Sequence, residues 1–275
     1  MLGMSDELAA VTTAAELACV DGRMLPADEA TIPATDEGLL RGDGAFEVAR
    51  LYRGRPFAMD DHYARLQRTS NGLRLEFDLT ALRAEVDALL EEAGPVEALL
   101  RIVLTRGGRR LAMIEPLPLR LSVARVMTVT YAPNRVLDGL KTLSYAGNML
   151  AGRLAKEQGY DEALFVTPHG RVLEGPTWSF FWVAGGQLLT PPLEERILNS
   201  ITRDRLIAES GAREAICTLD DVRGAEEAFI ASSVREVVPI AAVDDIELPN
   251  APGPVTQAAR EALAKRIERE LGAPA

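Results

Sequence analysis

The chain has 275 residues, 47% of them hydrophobic and 26% charged, with a formal net charge of −11. That length buries a sizeable core as one large or two ordinary domains. The acidic balance, with no block of like charge, argues against a nucleic-acid or anionic-membrane surface. No apolar run reaches the ~18 residues of a membrane span, and the start lacks the basic-then-apolar order of a secretory signal. Two cysteines, Cys19 and Cys217, make neither a disulfide framework nor a metal site. A cytoplasmic protein without a metal is expected.

Residues 1–17 read as an N-terminal extension. "ELACVDGRMLPADEA" predicts a hairpin turning at Asp21-Gly22, and "GAFEVARLYRGRPF" (44–57) a second, turning at Arg53-Gly54. "MDDHYARLQRTSNGLRL" spaces apolar residues helically behind an acidic start. In "DLTALRAEVDALLEEAG", Leu82, Val86, Leu89 and Leu90 share one helix face and Gly94 is the stop. Two strands are expected next, in "VEALLRIVLTRGG" and "LRLSVARVMTVTY". After a loop over 131–139 come a helix near 144–158 and strands at 161–167 and 171–183, joined by "PHGR". A strand at Leu188-Leu189, a helix over 200–211, strands in "AICTL" and "EAFIASS", and an amphipathic helix in "PVTQAAREALAKRIEREL" complete the chain. Strands and helices mixed in two halves imply an α+β chain of two domains, 18–131 and 140–275, joined by a loop at 132–139. The cleft between them is the expected place for a site.

Lysine is scarce: of 30 basic residues only Lys141, Lys156 and Lys265 are lysines, and the last two sit in charged, helix-like surroundings. Lys141 is flanked by leucines after a loop. Desolvation there would lower its pKa and make it a Schiff-base nucleophile; a paired or snorkelling lysine is the plainer alternative. Glu174, in "RVLEGPTWSFFWV", is an acid in a run apolar enough to bury it, so it needs a partner, either an arginine or a ligand. In "LNSITRDRL" (198–206), Asn199 and Ser200 are N-cap residues, and the free amides of a helix start there suit an anion as well as an ordinary cap. Ser232 and Ser233 add two hydroxyls at a strand end. A lysine, a carboxylate for a ring nitrogen and donors for a phosphate are together what pyridoxal phosphate requires.

Six stretches occur in one order: "DEGLLRGDGAFEVARLYRG", "HYARL", "LKTLSYAGNMLA…GYDEALF", "RVLEGPTWSFFWV", "LTPPL…ILNSITR" and "AEEAFIASSVREVVPI". Together they resemble the class IV pyridoxal-phosphate aminotransferases, which include branched-chain and D-amino acid aminotransferases and aminodeoxychorismate lyase. The resemblance runs over residues 18–245. It implies that family's two-domain α+β fold, a homodimer with active sites at the subunit interface, and pyridoxal 5′-phosphate. Lys141 would carry the internal aldimine and shuttle the substrate proton, while Glu174 would hold the pyridine N–H. Arg65 of "HYARL", the backbone of Ile201 and Thr202, the Thr202 hydroxyl and Ser233 would bind the phosphate. Tyr145 would bond the cofactor phenolate, although branched-chain enzymes carry their tyrosine one position further from the lysine. Trp178 stands where relatives have small residues, and is expected beside the pocket.

For the reaction, Glu47 in "GDGAFE" agrees with the aminotransferases, and "FEVARLYRG" with the D-amino acid enzymes rather than the "FEGIR" of branched-chain ones. The Arg-x-His that the D-enzymes carry after "TRG" is missing; Leu111 and Met113 fall there. A substrate carboxylate still needs a cation. Arg41, acting across the dimer interface, and the pair Arg109-Arg110 are the candidates, with Glu47 and Trp178 on the substrate side. The expected activity is ping-pong transfer of an amino group from a D-amino acid to a 2-oxo acid. An L-branched-chain enzyme is the first alternative, then an (R)-amine transaminase, a lyase, or a catalytically silent homologue; retention of Lys141, Glu174 and Arg65 together speaks against the last.

Overall fold

The computed structural model describes residues 16–272, so nearly all of the expected extension lies outside the described residues. The first hairpin is β1 (Leu17–Val20) and β2 (Arg23–Pro26). A short helix, α1 (Glu37–Arg41), precedes the second, β3 (Gly44–Tyr52) and β4 (Arg55–Pro56). Its turn residues Arg53 and Gly54 take positive φ of 50° and 76°, as a tight two-residue hairpin loop requires. Helices α2 (Met59–Leu73) and α3 (Leu79–Ala93) follow, then β5 (Ala98–Thr105) and β6 (Arg110–Glu115). The six strands form one antiparallel sheet in the order β2-β1-β6-β5-β3-β4. Leu66 of α2 and Leu82, Val86 and Leu89 of α3 pack on its inner residues Ala49, Leu51, Leu100 and Ile102. Each buried leucine contributes about 1.5–3 kcal/mol.

The second half holds β7 (Ala124–Thr130), α4 (Ala146–Glu157), β8 (Glu162–Val166), β9 (Arg171–Val172), β10 (Ser179–Ala184) and β11 (Gln187–Thr190). It continues through α5 (Ile201–Ser210), β12 (Arg213–Glu214), β13 (Cys217–Thr218), α6 (Leu219–Arg223) and β14 (Glu227–Ser232). It closes with β15 (Glu236–Val243), β16 (Ile246–Glu247) and α7 (Pro254–Leu271). These strands form a mixed sheet in the order β12-β11-β10-β14-β15-β7-β8-β9-β13, with β16 on β15. β7 runs parallel to both β15 and β8. Alternation along β10 puts Phe180 and Trp182 on one face with Val126 and Leu164, and Phe181 and Val183 on the other, under Leu206 of α5 and Leu263 of α7.

The structure departs from the sequence reading at particular places. β6 was not expected: "RLAMIE" is apolar on both faces and short, so it shows no clean alternation. β15 was missed too, because Pro239 reads against an interior strand; the pairing to β7 shifts register between Ile240 and Ala242, close to that proline. The expected strand over 171–183 is broken at 173–178, where Pro176 has no N–H to donate and the Trp178 indole lies on Gly175. A Cβ at Gly175 would stand 2.0 Å from Trp178 Cε2. β7 lies before the expected 132–139 loop and yet belongs to the second sheet, so the chain crosses between sheets over 116–123.

Candidate active site

Lys141 follows the second sheet's β7 in the chain but is stitched to the first. Phe46 N–H donates to Lys141 O at 3.1 Å, Leu143 N–H to Gly44 O at 2.9 Å, and Ala45 and Thr142 form an isolated bridge. On α2, Thr69 Oγ1 accepts from Lys141 N–H at 3.2 Å. The amine lies 4.3 Å from the Phe46 ring centroid and 5.8 Å from that of Tyr145, and no carboxylate pairs with it among the described residues. Burial, then the Arg65 guanidinium, pushes it down to about 8 against the pull of Glu47 and Glu174. A nucleophilic amine is thus available close to neutral pH.

Glu174 sits in the gap between β9 and β10. Its carbonyl accepts from Phe165 N–H at 2.8 Å, and its carboxylate accepts from Leu198 N–H at 2.9 Å. No arginine pairs with it among the described residues, so the structural ion pair is excluded there. Burial pushes the carboxyl up to about 8, over the opposing effects of Leu198 N–H and Lys141. Such a group is short of one charged donor, which a protonated ring nitrogen would supply.

The start of α5 meets the end of β14. Ser200 caps the helix by accepting from Arg203 N–H at 3.3 Å. The amides of Ile201 and Thr202 are first-turn donors without intrahelical acceptors, and Thr202 Oγ1 lies 3.3 Å from Ser233 Oγ. Arg65 joins them by donating from Nη1 to Asn199 O at 3.2 Å. Its Nε and Nη2 donate to the two oxygens of Glu47 at 2.6 and 2.7 Å, and His62 Nδ1 reaches the same carboxylate at 2.8 Å. Burial alone would raise Glu47; the Arg65 charge and these hydrogen bonds outweigh it and hold the carboxyl at about 2. Burial pushes His62 down against the pull of Glu47, and in its neutral form only the Nδ1–H tautomer can donate to that carboxylate. Two hydroxyls, two amides and an anchored guanidinium converge here, as a phosphate requires.

The sequence matches the amino-transferase class IV family over residues 44–243. The chain belongs to the class IV aminotransferases. A Methanocaldococcus jannaschii relative, described as a branched-chain-amino-acid aminotransferase, is 32% identical over 251 residues, 82% of this chain and 87% of its own. The D-alanine aminotransferase of Bacillus licheniformis is 29% identical over 274 residues, 91% of this chain and 96% of its own. The pyridoxal-phosphate-bound structure of a hypothetical aminotransferase from Mycobacterium tuberculosis gives a TM-score of 0.84 at 25% identity, covering 92% of this chain and 98% of that one. The α+β fold is that of the fold-type IV transaminases. This class IV aminotransferase is a pyridoxal-phosphate-dependent enzyme, and the unpaired amine, donor-short carboxylate and anion cup fit that cofactor.

Other expected residues of the aminotransferase lie elsewhere or are already engaged. Glu47 is 1% exposed with both oxygens taken, so it anchors Arg65 instead of facing substrate. Trp178 does not line the pocket: its ring is packed in the core of the second sheet, and its indole N–H donates to Glu162 at 3.3 Å. Arg109 is ion-paired to Asp21 at 2.7 Å and Arg110 to Glu85 at 2.6 Å, so both guanidinium groups are committed to the first hairpin and α3. Arg41 is exposed at the end of α1 and pairs with Glu37. Tyr145, expected to bond the cofactor phenolate, stands edge-on to Phe46 at 5.1 Å with its ring centroid 5.8 Å from the amine, and its hydroxyl donates to Pro176 O, leaving it only as an acceptor.

Two residues of the site escaped the sequence reading. His62 sits three positions before Arg65 on one face of α2, a spacing that marks it as a neighbour. Arg101, the only charge inside the apolar run of β5, holds its guanidinium 5.8 Å from the Phe46 ring centroid and donates to Glu115 at 2.6 Å. Its charge helps to keep the Lys141 amine low. A lone arginine in a buried strand was the available signal.

Proposed function

We propose that the enzyme moves the amino group of a small D-amino acid to a 2-oxo acid, with Lys141 as the catalytic residue. The bound cofactor supplies an electron sink for the bonds at the substrate Cα. Glu174 holds the ring nitrogen protonated, while Arg65, Ile201, Thr202 and Ser233 fix the phosphate. Lys141, once its amine is free, would take the proton from the substrate Cα and deliver it to the carbon on the far side of the amino nitrogen. Phe46 and Tyr145 keep water from that amine, and Arg101, engaged with Glu115 through Nε, offers its remaining donors to a substrate carboxylate. The observation that carries the choice of substrate is Val48. It shares a face of β3 with Phe46, lies opposite Arg101 in register, and is half-buried. Branched-chain enzymes resembling "FEGIR" have glycine at this position. Valine fills the volume that a branched substrate side chain would use, and so favours alanine-sized donors.

Met149, Leu150 and Leu154 leave one face of α4 exposed, as do Leu39 and Leu40 of α1. These apolar surfaces support the homodimer, whose existence sedimentation would decide. The activity is tested by the first half-reaction. Cofactor-loaded protein is mixed separately with D-alanine, L-leucine and (R)-1-phenylethylamine, and the loss of the visible band is followed. Bleaching by D-alanine is expected. Bleaching by L-leucine or the amine alone would replace the substrate assignment, and bleaching by none would favour the lyase.

A further inference from the structure

The turn that carries Ser233 joins β14 to β15 through residues 233–235, between the paired Ser232 and Glu236. Inside it, Ser232 Oγ accepts from Arg235 N–H at 3.1 Å. Glu236, at its end, takes a φ of 57°. Short hairpin loops that close in the left-handed region ordinarily put glycine there, because a Cβ crowds the following carbonyl. A side chain kept in spite of that strain is held by its surroundings, and such positions gather at working sites.

The surroundings of Glu236 come from the other half of the molecule. Arg50 and Tyr52 lie two residues apart on one face of β3. Arg50 pairs with one oxygen of Glu236 at 2.8 Å, and the Tyr52 hydroxyl donates to the same oxygen at 3.0 Å. The Arg50 guanidinium also donates to Val234 O at 3.4 Å, so it touches the turn at two points. Arg120, on the segment crossing between the sheets, reaches the second oxygen at 3.6 Å. The side chains of Arg50 and Glu236 are only 15% and 17% exposed, which shelters the pair from screening. Arg235 of the turn pairs with Glu162 of β8, within the second half; Glu236 ties the turn to the first sheet. That tie bears on Ser233, whose hydroxyl lies 3.3 Å from Thr202 Oγ1. A hydroxyl loses its hydrogen bonds over a few tenths of an ångström, so a turn freed from β3 would not keep it in the cup. The same face of β3 carries Phe46, which covers the Lys141 amine.

We propose that Glu236 is a positioning residue for the cofactor phosphate: gripped by Arg50 and Tyr52 of β3, it fixes the 233–235 turn so that the Ser233 hydroxyl stays in the cup beside Thr202. The inference rests on the placement of the phosphate at Thr202 and Ser233. Equilibrium dialysis of the holoenzyme against a cofactor series gives the dissociation constant for wild type, Ser233→Ala, Glu236→Ala and the double variant. Alanine keeps the Cβ, and with it the backbone strain, while removing the carboxylate. Glu236→Ala is expected to weaken binding about five- to tenfold. The double variant should bind no more weakly than Ser233→Ala alone, because Glu236 acts through that hydroxyl. Glu236→Gln, which keeps an acceptor for Tyr52, should recover part of the loss. If Glu236→Ala does not fold, Tyr52→Phe takes its place in the cycle, with an expected loss of about threefold. Losses that multiply in the double variant, or a Glu236→Ala that binds as wild type does, would overturn the positioning role, even where urea stability falls. Ser233→Ala binding as wild type does would instead overturn the phosphate placement, and the role of Glu236 with it.

Discussion

Replacing Glu47 with glutamine keeps the shape of the side chain and removes the charge that balances buried Arg65. The carboxyl lies at about 2 against an ordinary 4.5. That difference of about 2.5, at 1.36 kcal/mol for each, amounts to about 3 kcal/mol of preference for the ionised pair. Removing one member of a buried pair costs about 3–5 kcal/mol by independent reckoning, so the two figures agree. Either is a large share of a domain's net stability of roughly 5–15 kcal/mol. Because the folded-state pKa is depressed, the contribution is complete above about 4.5 and is lost as pH falls towards 2. Urea unfolding of cofactor-free wild type and Glu47→Gln, at one protein concentration so that association is held constant, measures the gap directly. It should be about 3 kcal/mol at pH 7 and close progressively in acid, while the other carboxylates titrate alike in both proteins and cancel. A gap under about 1 kcal/mol at pH 7, or one that persists undiminished near pH 3, would refute the account of Arg65.

Three further outcomes are expected. The lowered pKa of Lys141 means that cofactor-free protein should link pyridoxal phosphate covalently faster as pH rises through about 8, and a rate flat across that range would remove the buried-amine reading; Lys141→Arg should form no borohydride-reducible adduct. Glu174→Gln should retain the cofactor but lose about ten- to hundredfold in kcat, since a neutral amide cannot hold the ring nitrogen protonated; unchanged turnover would move the ring nitrogen elsewhere. Thr202→Ala and Ser233→Ala should each weaken cofactor binding several-fold, about tenfold at most, read by dialysis against a cofactor series. If neither does so, the phosphate does not lie at the start of α5.

The parts of the site that were legible are those whose meaning is local. Lys141 stood out as a lone amine in an apolar loop, Glu174 as an acid in a strand-like run, and Ser200 as a helix cap. These depend on a few neighbouring residues, and the hairpin turns and α3 were readable for the same reason. What neutralises each arginine was not legible, because the answer lies far away in the chain. Arg109 is spent on Asp21, 88 residues earlier, and Arg110 on Glu85, 25 residues earlier. Their pairing depends on β6 lying beside β1 in the sheet, and β6 was itself missed. Trp178 failed differently. It shares the parity of Phe180 and Trp182, and its ring lies with theirs in the core of the second sheet, a placement that alternation back from β10 already indicates.

The stitching of Lys141 to β3 and α2 holds its amine against the first sheet, beside which Arg65 of α2 also lies, whereas Glu174, Thr202 and Ser233 belong to the second half. A molecule gripped from both sides acts as a strut as well as a reagent. Saturation at about a thousand times the dissociation constant would add about 4 kcal/mol to folding, and a cofactor held as proposed would place that gain at the seam between the sheets. On the proposed placement, losing the cofactor would weaken the joint before either half, so that mechanical integrity and chemical competence would rise and fall with the same ligand.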